Sequence, residues 1–181
     1  MFRITSLLLA AVLAGCAAPQ ASLELDTSDA PYTIDSGDRL RVTVFGQANL
    51  TANYTVDPAG NIAMPLIGAV PARGSTGAHL EKAIETRLRN GFIREPDVSV
   101  EIETYRPFFI LGEVTRAGQY PYVAGLTAET AVAIAGGFTP RAVKSSVIVT
   151  RRLGGEEVRG TVPITTPIRP GDSITVRERW F

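Results

Sequence analysis

An α+β fold follows from three features of the sequence. Short stretches with alternating apolar residues recur along the chain, they outnumber the helical stretches, and each helical stretch stands alone between extended segments, outside any regular strand–helix–strand series. The first extended stretch is DSGDRLRVTVF, Asp35 to Phe45. It opens with a Gly-Asp turn, and Leu40, Val42 and Val44 then alternate with Arg39, Arg41 and Thr43 as a half-buried strand requires. In NYTVDPAGNIAMP, Asp57, Pro58 and Gly60 hold turn positions between extended residues, which predicts a hairpin. Thr76 can cap the next element, where Leu80, Ile84 and Leu88 recur at i, i+4 and i+8 and so give one face of a helix; Arg87 and Arg89 suit its negative end, and Gly91 stops it. DVSVEIET alternates Val98, Val100 and Ile102, and Arg106-Pro107 breaks the run before FFILGEV. A second helix starts at a Thr127 cap and runs through AETAVAIA to Gly136-Gly137, with Glu129 in its first turn. SSVIVTRR, EVRGTVPI and DSITVRERWF complete the chain as strands separated by Gly or Pro, and a boundary between two modules is expected near Arg106.

The bulk composition is that of a chain that folds. Of 181 residues, 45% are hydrophobic and 20% charged, enough apolar content for one ordinary domain or two small ones. Lys plus Arg equals Asp plus Glu at 18 each, and no more than two basic residues ever adjoin. Nucleic-acid binding, which needs a concentrated basic face, is therefore not expected. One Cys excludes an internal disulfide, and one His excludes any His pair and most metal sites, so no cofactor or metal is expected.

The single cysteine closes the greasiest run, LLLAAVLAGCAAP. Arg3 precedes it, Leu7 to Leu13 are apolar, and small residues follow, the three-part pattern of an export signal. As a helix, Leu7 to Ala18 would rise about 18 Å, short of the roughly 30 Å hydrocarbon layer, so a permanent span is not predicted. Leu13-Ala14-Gly15-Cys16 resembles the lipobox of bacterial lipoproteins, in which the cysteine takes a diacylglyceryl group, the signal is cut before it, and the new amine is acylated. More than one acyl chain gives stable attachment, at about 0.8 kcal/mol per buried CH₂. That resemblance implies a signal peptide over residues 1–15, a lipidated tether over 16–31, and, with Ala17 after the cysteine, the outer membrane. The alternative is a small buried Cys in an uncleaved segment.

Other chemistry finds little support. The loop RGST before the first helix lacks the Gly-Lys-Ser/Thr ending of a phosphate-cradling loop. Glu101 and Glu103 sit on the solvent side of an alternating strand, not across a cleft as a glycosidase pair requires. His79 reads as a surface or half-buried helix residue, and with the lone Cys assigned to lipid no nucleophilic set can be assembled, so an enzyme is not expected. Gly37-Asp38-Arg39-Leu40-Arg41-Val42 has a faint echo in Gly171-Asp172-Ser173-Ile174-Thr175-Val176. Turn chemistry explains the pair, with duplication or a ligand site as alternatives.

Six stretches in order, YTIDSGDRLRVTVFG, VDPAGNIAMPLIGAVPARGST, REPDVSV, ILGEVTRAGQY, AVAIAGG and RPGDSITVRERWF, resemble the polysaccharide biosynthesis/export family of outer-membrane lipoproteins. Their turn motifs fall at Gly37, Asp38, Gly60, Pro65, Gly68 and Pro96, then at Gly112, Gly118, Gly136, Gly137, Gly171 and Asp172. The resemblance implies a small mixed-sheet export domain with one main helix over residues 32–105 and a soluble-ligand-binding β-grasp domain over 106–181. It also implies a homo-oligomeric ring that carries capsular polysaccharide or exopolysaccharide, working with an inner-membrane chain-length and export protein. A glycan- or partner-binding adaptor that forms no channel is the alternative.

Ser36, Ala59 and Ala117 depart from the family pattern, where Pro, Asp and Pro are frequent. Long members continue into a C-terminal amphipathic helix that spans the outer membrane, whereas this sequence stops at Arg179-Trp180-Phe181. A separate outer-membrane pore protein is therefore expected as a partner.

Overall fold

The computed structural model describes residues 31–153 and 155–180. The export signal, the lipobox and nearly all of the tether lie outside the described residues. Within them the chain builds ten strands and two helices, the α+β arrangement expected.

In the N-terminal half, β1 (Arg39–Val44) is the centre of a three-stranded sheet. It pairs antiparallel with β2 (Ala52–Thr55) on one side and β5 (Val98–Thr104) on the other. The alternation of β1 is realised: Leu40, Val42 and Val44 are buried. Helix α1 (Gly77–Arg89) packs on β5 through Leu80, Ile84 and Leu88, each contributing about 1.5–3 kcal/mol by burial. Its N-cap is Thr76, whose hydroxyl accepts the His79 N–H at 3.3 Å, and Arg87 and Arg89 occupy the last turn.

One expectation is corrected here. The residues flanking the Asp57–Gly60 turn do not pair as a hairpin: β2 is taken by β1, while β3 (Asn61–Met64) pairs with β4 (Gly68–Pro71). The turn itself forms, with the Gly60 N–H donating to the Asp57 carbonyl at 2.9 Å. The Gly60 carbonyl then accepts from Ala72 and Arg73, which draws the chain toward β4 and away from β2.

The C-terminal half is a five-stranded sheet in the order β7-β6-β10-β8-β9. The strands are β6 (Phe108–Gly112), β7 (Gly118–Tyr120), β8 (Ser146–Leu153), β9 (Glu156–Pro163) and β10 (Ser173–Val176). The first and last of these lie side by side in parallel at the centre, the β-grasp pattern. Helix α2 (Ala128–Ile134) buries Ala128, Ala131 and Val132 against the sheet; it opens with a Thr127–Thr130 capping box, with Glu129 in its first turn.

Apolar burial falls into two clusters. One runs from Ile34 to Val100, with Ile102 packed against it, and the other from Phe108 to Val176, so each half has its own core.

The parallel β6–β10 pair closes at Gly112, where φ is +85° and an added Cβ would stand 2.1 Å from the Val176 carbonyl oxygen. No side chain fits there. Gly112→Ala is expected to lower the urea unfolding free energy by more than about 2 kcal/mol, whereas Gly125→Ala, with a similar φ but open space around it, is expected to cost about 1 kcal/mol.

Candidate functional site

The two Gly-Asp stretches that echo each other in sequence adopt the same local structure. In each, the Asp N–H donates to the carbonyl three residues back, Asp38 to Asp35 and Asp172 to Arg169, both at 3.1 Å. The glycines between take φ of +90° and +84°. Each carboxylate then accepts the N–H of the turn's first residue, Asp35 N–H to Asp38 Oδ2 at 2.8 Å and Arg169 N–H to Asp172 Oδ2 at 2.7 Å. Both aspartates are buried, to 0% and 1% exposure. A buried carboxylate demands a cation or several donors, because desolvation costs several kcal/mol.

The two sites meet that demand differently. Asp172 takes a two-pronged contact from Arg151, at 2.9 Å from Nε and 2.6 Å from Nη2. Arg151 is 5% exposed and continues the inward alternation of Val147 and Val149 along β8. Asp38 is held from across the boundary between the halves. The Arg106 N–H donates to Asp38 Oδ1 at 2.9 Å, the Arg106 guanidinium lies 3.3 Å from Oδ2, and the Tyr32 hydroxyl donates to Oδ2 at 2.6 Å. Arg106 also donates to the Tyr32 oxygen at 2.8 Å, sits 5.9 Å from the Tyr32 ring centre, and reaches Asp35 at 3.6 Å. Its side chain crosses Gly171, where an added Cβ would meet Nε at 2.6 Å.

Arg106 thus lies between the two turns and forms one wall of a cleft of about 580 Å³ between the halves. Tyr32, Tyr105 and Tyr122 form an edge-to-face series along it, with centroid separations of 4.9 and 5.5 Å. The Tyr122 hydroxyl donates to the Ile168 carbonyl at 3.2 Å. Two ion pairs also line the cleft: Arg151 with Asp172, and Arg152 with Glu157 at 3.8 Å on the surface. The lining of the pocket thus combines aromatic rings with side chains of both charge signs, the mixed character of a binding surface. Among the described residues, no three His, Cys, Asp or Glu side chains converge to hold a metal.

The Tyr32 phenol is held above its ordinary value of 10.0, first by burial and then by its hydrogen bond to Asp38. Burial raises Tyr122 and Tyr54 as well, and for Tyr122 the neighbouring Tyr105 adds to the effect.

Of the turn residues singled out in the sequence, Gly37, Asp38, Gly171 and Asp172 come together around Arg106. The others are dispersed. Gly60 packs on Arg73; Pro65 and Gly68 lie at the β3–β4 turn; Pro96 precedes β5; Gly112 and Gly118 bound the β6–β7 connection; Gly136 and Gly137 follow α2 and accept the Thr115 hydroxyl. Leu13, Ala14, Gly15 and Cys16 are outside the described residues. Glu101, Glu103 and His79 are exposed, and Glu103 pairs with Arg39 at 2.9 Å. Sequence reading gave no site role to Tyr32, Tyr105, Arg106, Tyr122 or Arg151; Arg106 was marked only as the module boundary, and Arg151 carried a signal as a charge at an inward strand position.

Asp172→Ala strands Arg151 in the core and is expected to cost about 3–5 kcal/mol in chemical denaturation, against about 0–1 kcal/mol for Glu103→Ala. A tyrosine whose folded-state value is raised contributes stability that is complete below its ordinary value and is lost as pH rises through the folded value. Stability is therefore expected to fall from about pH 10 upward, and Tyr32→Phe to reduce the loss between pH 9 and pH 11 by about 1.4 kcal/mol in total, read from unfolding curves at those two pH values.

Comparison with known proteins places these two halves in sequence order. Residues 26–103 match the polysaccharide biosynthesis/export protein family, and residues 107–162 match the SLBB domain. The chain is 34% identical over 139 residues to the exopolysaccharide production protein ExoF of Rhizobium meliloti (strain 1021), covering 70% of this chain and 32% of that protein. It is 26% identical over 133 residues to the polysialic acid transport protein KpsD of Escherichia coli, covering 72% of this chain and 24% of that protein. The matched part thus spans about a third or less of these curated relatives. The chain belongs to the polysaccharide biosynthesis/export protein family and carries an SLBB domain.

Proposed function

We propose that this protein is a lipid-tethered, periplasm-facing subunit of an oligomeric conduit that exports capsular polysaccharide or exopolysaccharide. The observation that carries the reading is the succession of an export-family match and an SLBB match along one chain, each over a half with its own core. The named roles of the relatives, one in exopolysaccharide production and one in polysialic acid transport, support the same process. In this reading residues 1–15 are a cleaved lipoprotein signal, Cys16 carries the acyl chains, 16–31 is the tether, 32–105 is the export domain and 106–181 is the ligand-binding β-grasp domain. The body sits at the outer membrane, and no helix among the described residues is long and apolar enough to cross a bilayer.

Assembly into a ring is supported by apolar surface that the described chain leaves open. Phe109 and Leu111, on one face of β6, are 41% and 47% exposed, and Phe45, Leu66 and Phe92 are exposed on the N-terminal half. The inner-membrane chain-length and export protein and a separate outer-membrane pore protein are the proposed partners. The work of such a subunit is spatial, so no catalytic step is assigned.

Replacing Cys16 by Ala is expected to move the protein from the membrane fraction to the soluble periplasm and to reduce surface polysaccharide to the level of the gene deletion. Mass measurement of the detergent-extracted wild-type assembly is expected to give a closed oligomer. A monomer in detergent, together with undiminished surface polysaccharide on deletion, would contradict the reading.

A further inference from the structure

We propose that the cleft between the two halves is a saccharide-binding site that holds a short segment of pyranose rings against Tyr105 and Tyr122. The proposal rests on the reading that the protein handles polysaccharide, and it adds a defined site to a function that otherwise needs only a passage.

Three observations carry it. The cleft, at about 580 Å³, falls within the roughly 300–1,000 Å³ of small-ligand pockets. Tyr105 and Tyr122 are half-buried in its wall, each offering an apolar ring with a polar tip. A pyranose ring has the matching character, since its C–H faces are apolar while its hydroxyls project from the rim. The Tyr105 hydroxyl makes no hydrogen bond to any described residue, whereas the hydroxyls of Tyr32 and Tyr122 are already committed to Asp38 and the Ile168 carbonyl. It stands in the wall as an open donor and acceptor.

The cleft also supplies groups that suit sugar hydroxyls. Arg152 and Glu157 line it and are separated by 3.8 Å, both well exposed. A surface pair this open contributes little to stability, so its guanidinium and carboxylate can turn to a ligand at small cost. Ser173 adds a hydroxyl from the first residue of β10. The half-buried pair Arg106–Asp38 and the buried pair Arg151–Asp172 fix the two turns that bound the cleft. They pre-form the site, which lowers the ordering cost of binding. The same ring-and-rim chemistry belongs to neutral and to carboxylated sugars, and the experiment separates the two.

The test uses the full-length protein in a non-glycosidic detergent and titration calorimetry. The probes are cellotetraose, tetragalacturonate, and fragments of two to six sugars from partial acid hydrolysis of the producing cell's own extracellular polysaccharide. Binding of at least one probe is expected, and its identity tells neutral from acidic preference. Tyr105→Phe, which removes only the open hydroxyl, is expected to weaken it roughly three- to ten-fold, and Arg152→Gln about ten-fold. Far-UV circular dichroism of both variants is expected to match the wild type, because Phe keeps the ring that packs between Tyr32 and Tyr122, and Arg152 is exposed. No binding of any probe, or equal binding by wild type and both variants, overturns the proposal. Surface polysaccharide measured in cells carrying the same variants and in the deletion separates this idea from the conduit. Binding retained by a protein whose deletion leaves export unchanged upholds the cleft and sinks the conduit; loss of export on deletion with no saccharide binding sinks the cleft alone.

Discussion

The carboxylate of Asp38 is the constraint on which the arrangement of the molecule depends. It is fully buried at the start of β1, and an ionised carboxylate in that position is tolerable only when its oxygens are filled. One donor is local, the Asp35 N–H, and the other three are not: the Tyr32 hydroxyl, the Arg106 N–H and the Arg106 guanidinium. Because two of them belong to the residue that begins the C-terminal half, satisfying one buried charge also fixes where that half starts. The bond between two polar groups becomes a statement about the orientation of two cores.

The second buried aspartate shows what the first adds. Asp172 occupies the same kind of turn and takes the same kind of backbone bond, but its arginine comes from β8, a neighbouring strand in the same sheet. That pair steadies the β-grasp internally. Arg106 crosses the face of Gly171 in this second turn, so the two turns share a single side chain although only one of them uses its charge. Glycine at 171 is favoured by its positive φ, and a side chain there would also push the Arg106 guanidinium from its place, a link to Asp38 that turn geometry alone does not supply.

Much of the fold was legible because it rests on short-range periodicity. Leu40, Val42 and Val44 alternate, Leu80, Ile84 and Leu88 repeat at helical spacing, and Thr76 and Thr127 cap; each of these is a local property that packing then used without altering it. The hairpin expected around Asp57 failed for the opposite reason. A turn specifies its own closure but not which neighbour the outgoing strands will choose, and β1 and β4 were the better partners. The candidate site was less legible still. Tyr32 and Asp38 meet Arg106 across 74 and 68 residues, a separation that no spacing rule reaches, and Tyr105 and Tyr122 read in sequence as ordinary residues near strand ends. Arg151 alone was marked locally, as the charged member of an inward-facing series.

In the proposed export function, a fixed angle between the halves has a direct consequence: it holds the tyrosine-lined cleft open at constant shape. The most direct test is the distribution of distances between spin labels on α1 and α2, at Lys82→Cys and Glu129→Cys in a Cys16→Ala background, with and without Arg106→Ala. A narrow single distance that broadens when Arg106 is removed is the predicted result. A broad distribution in the parent protein, or one that Arg106→Ala leaves unchanged, would show that the buried charge does not set the orientation of the halves.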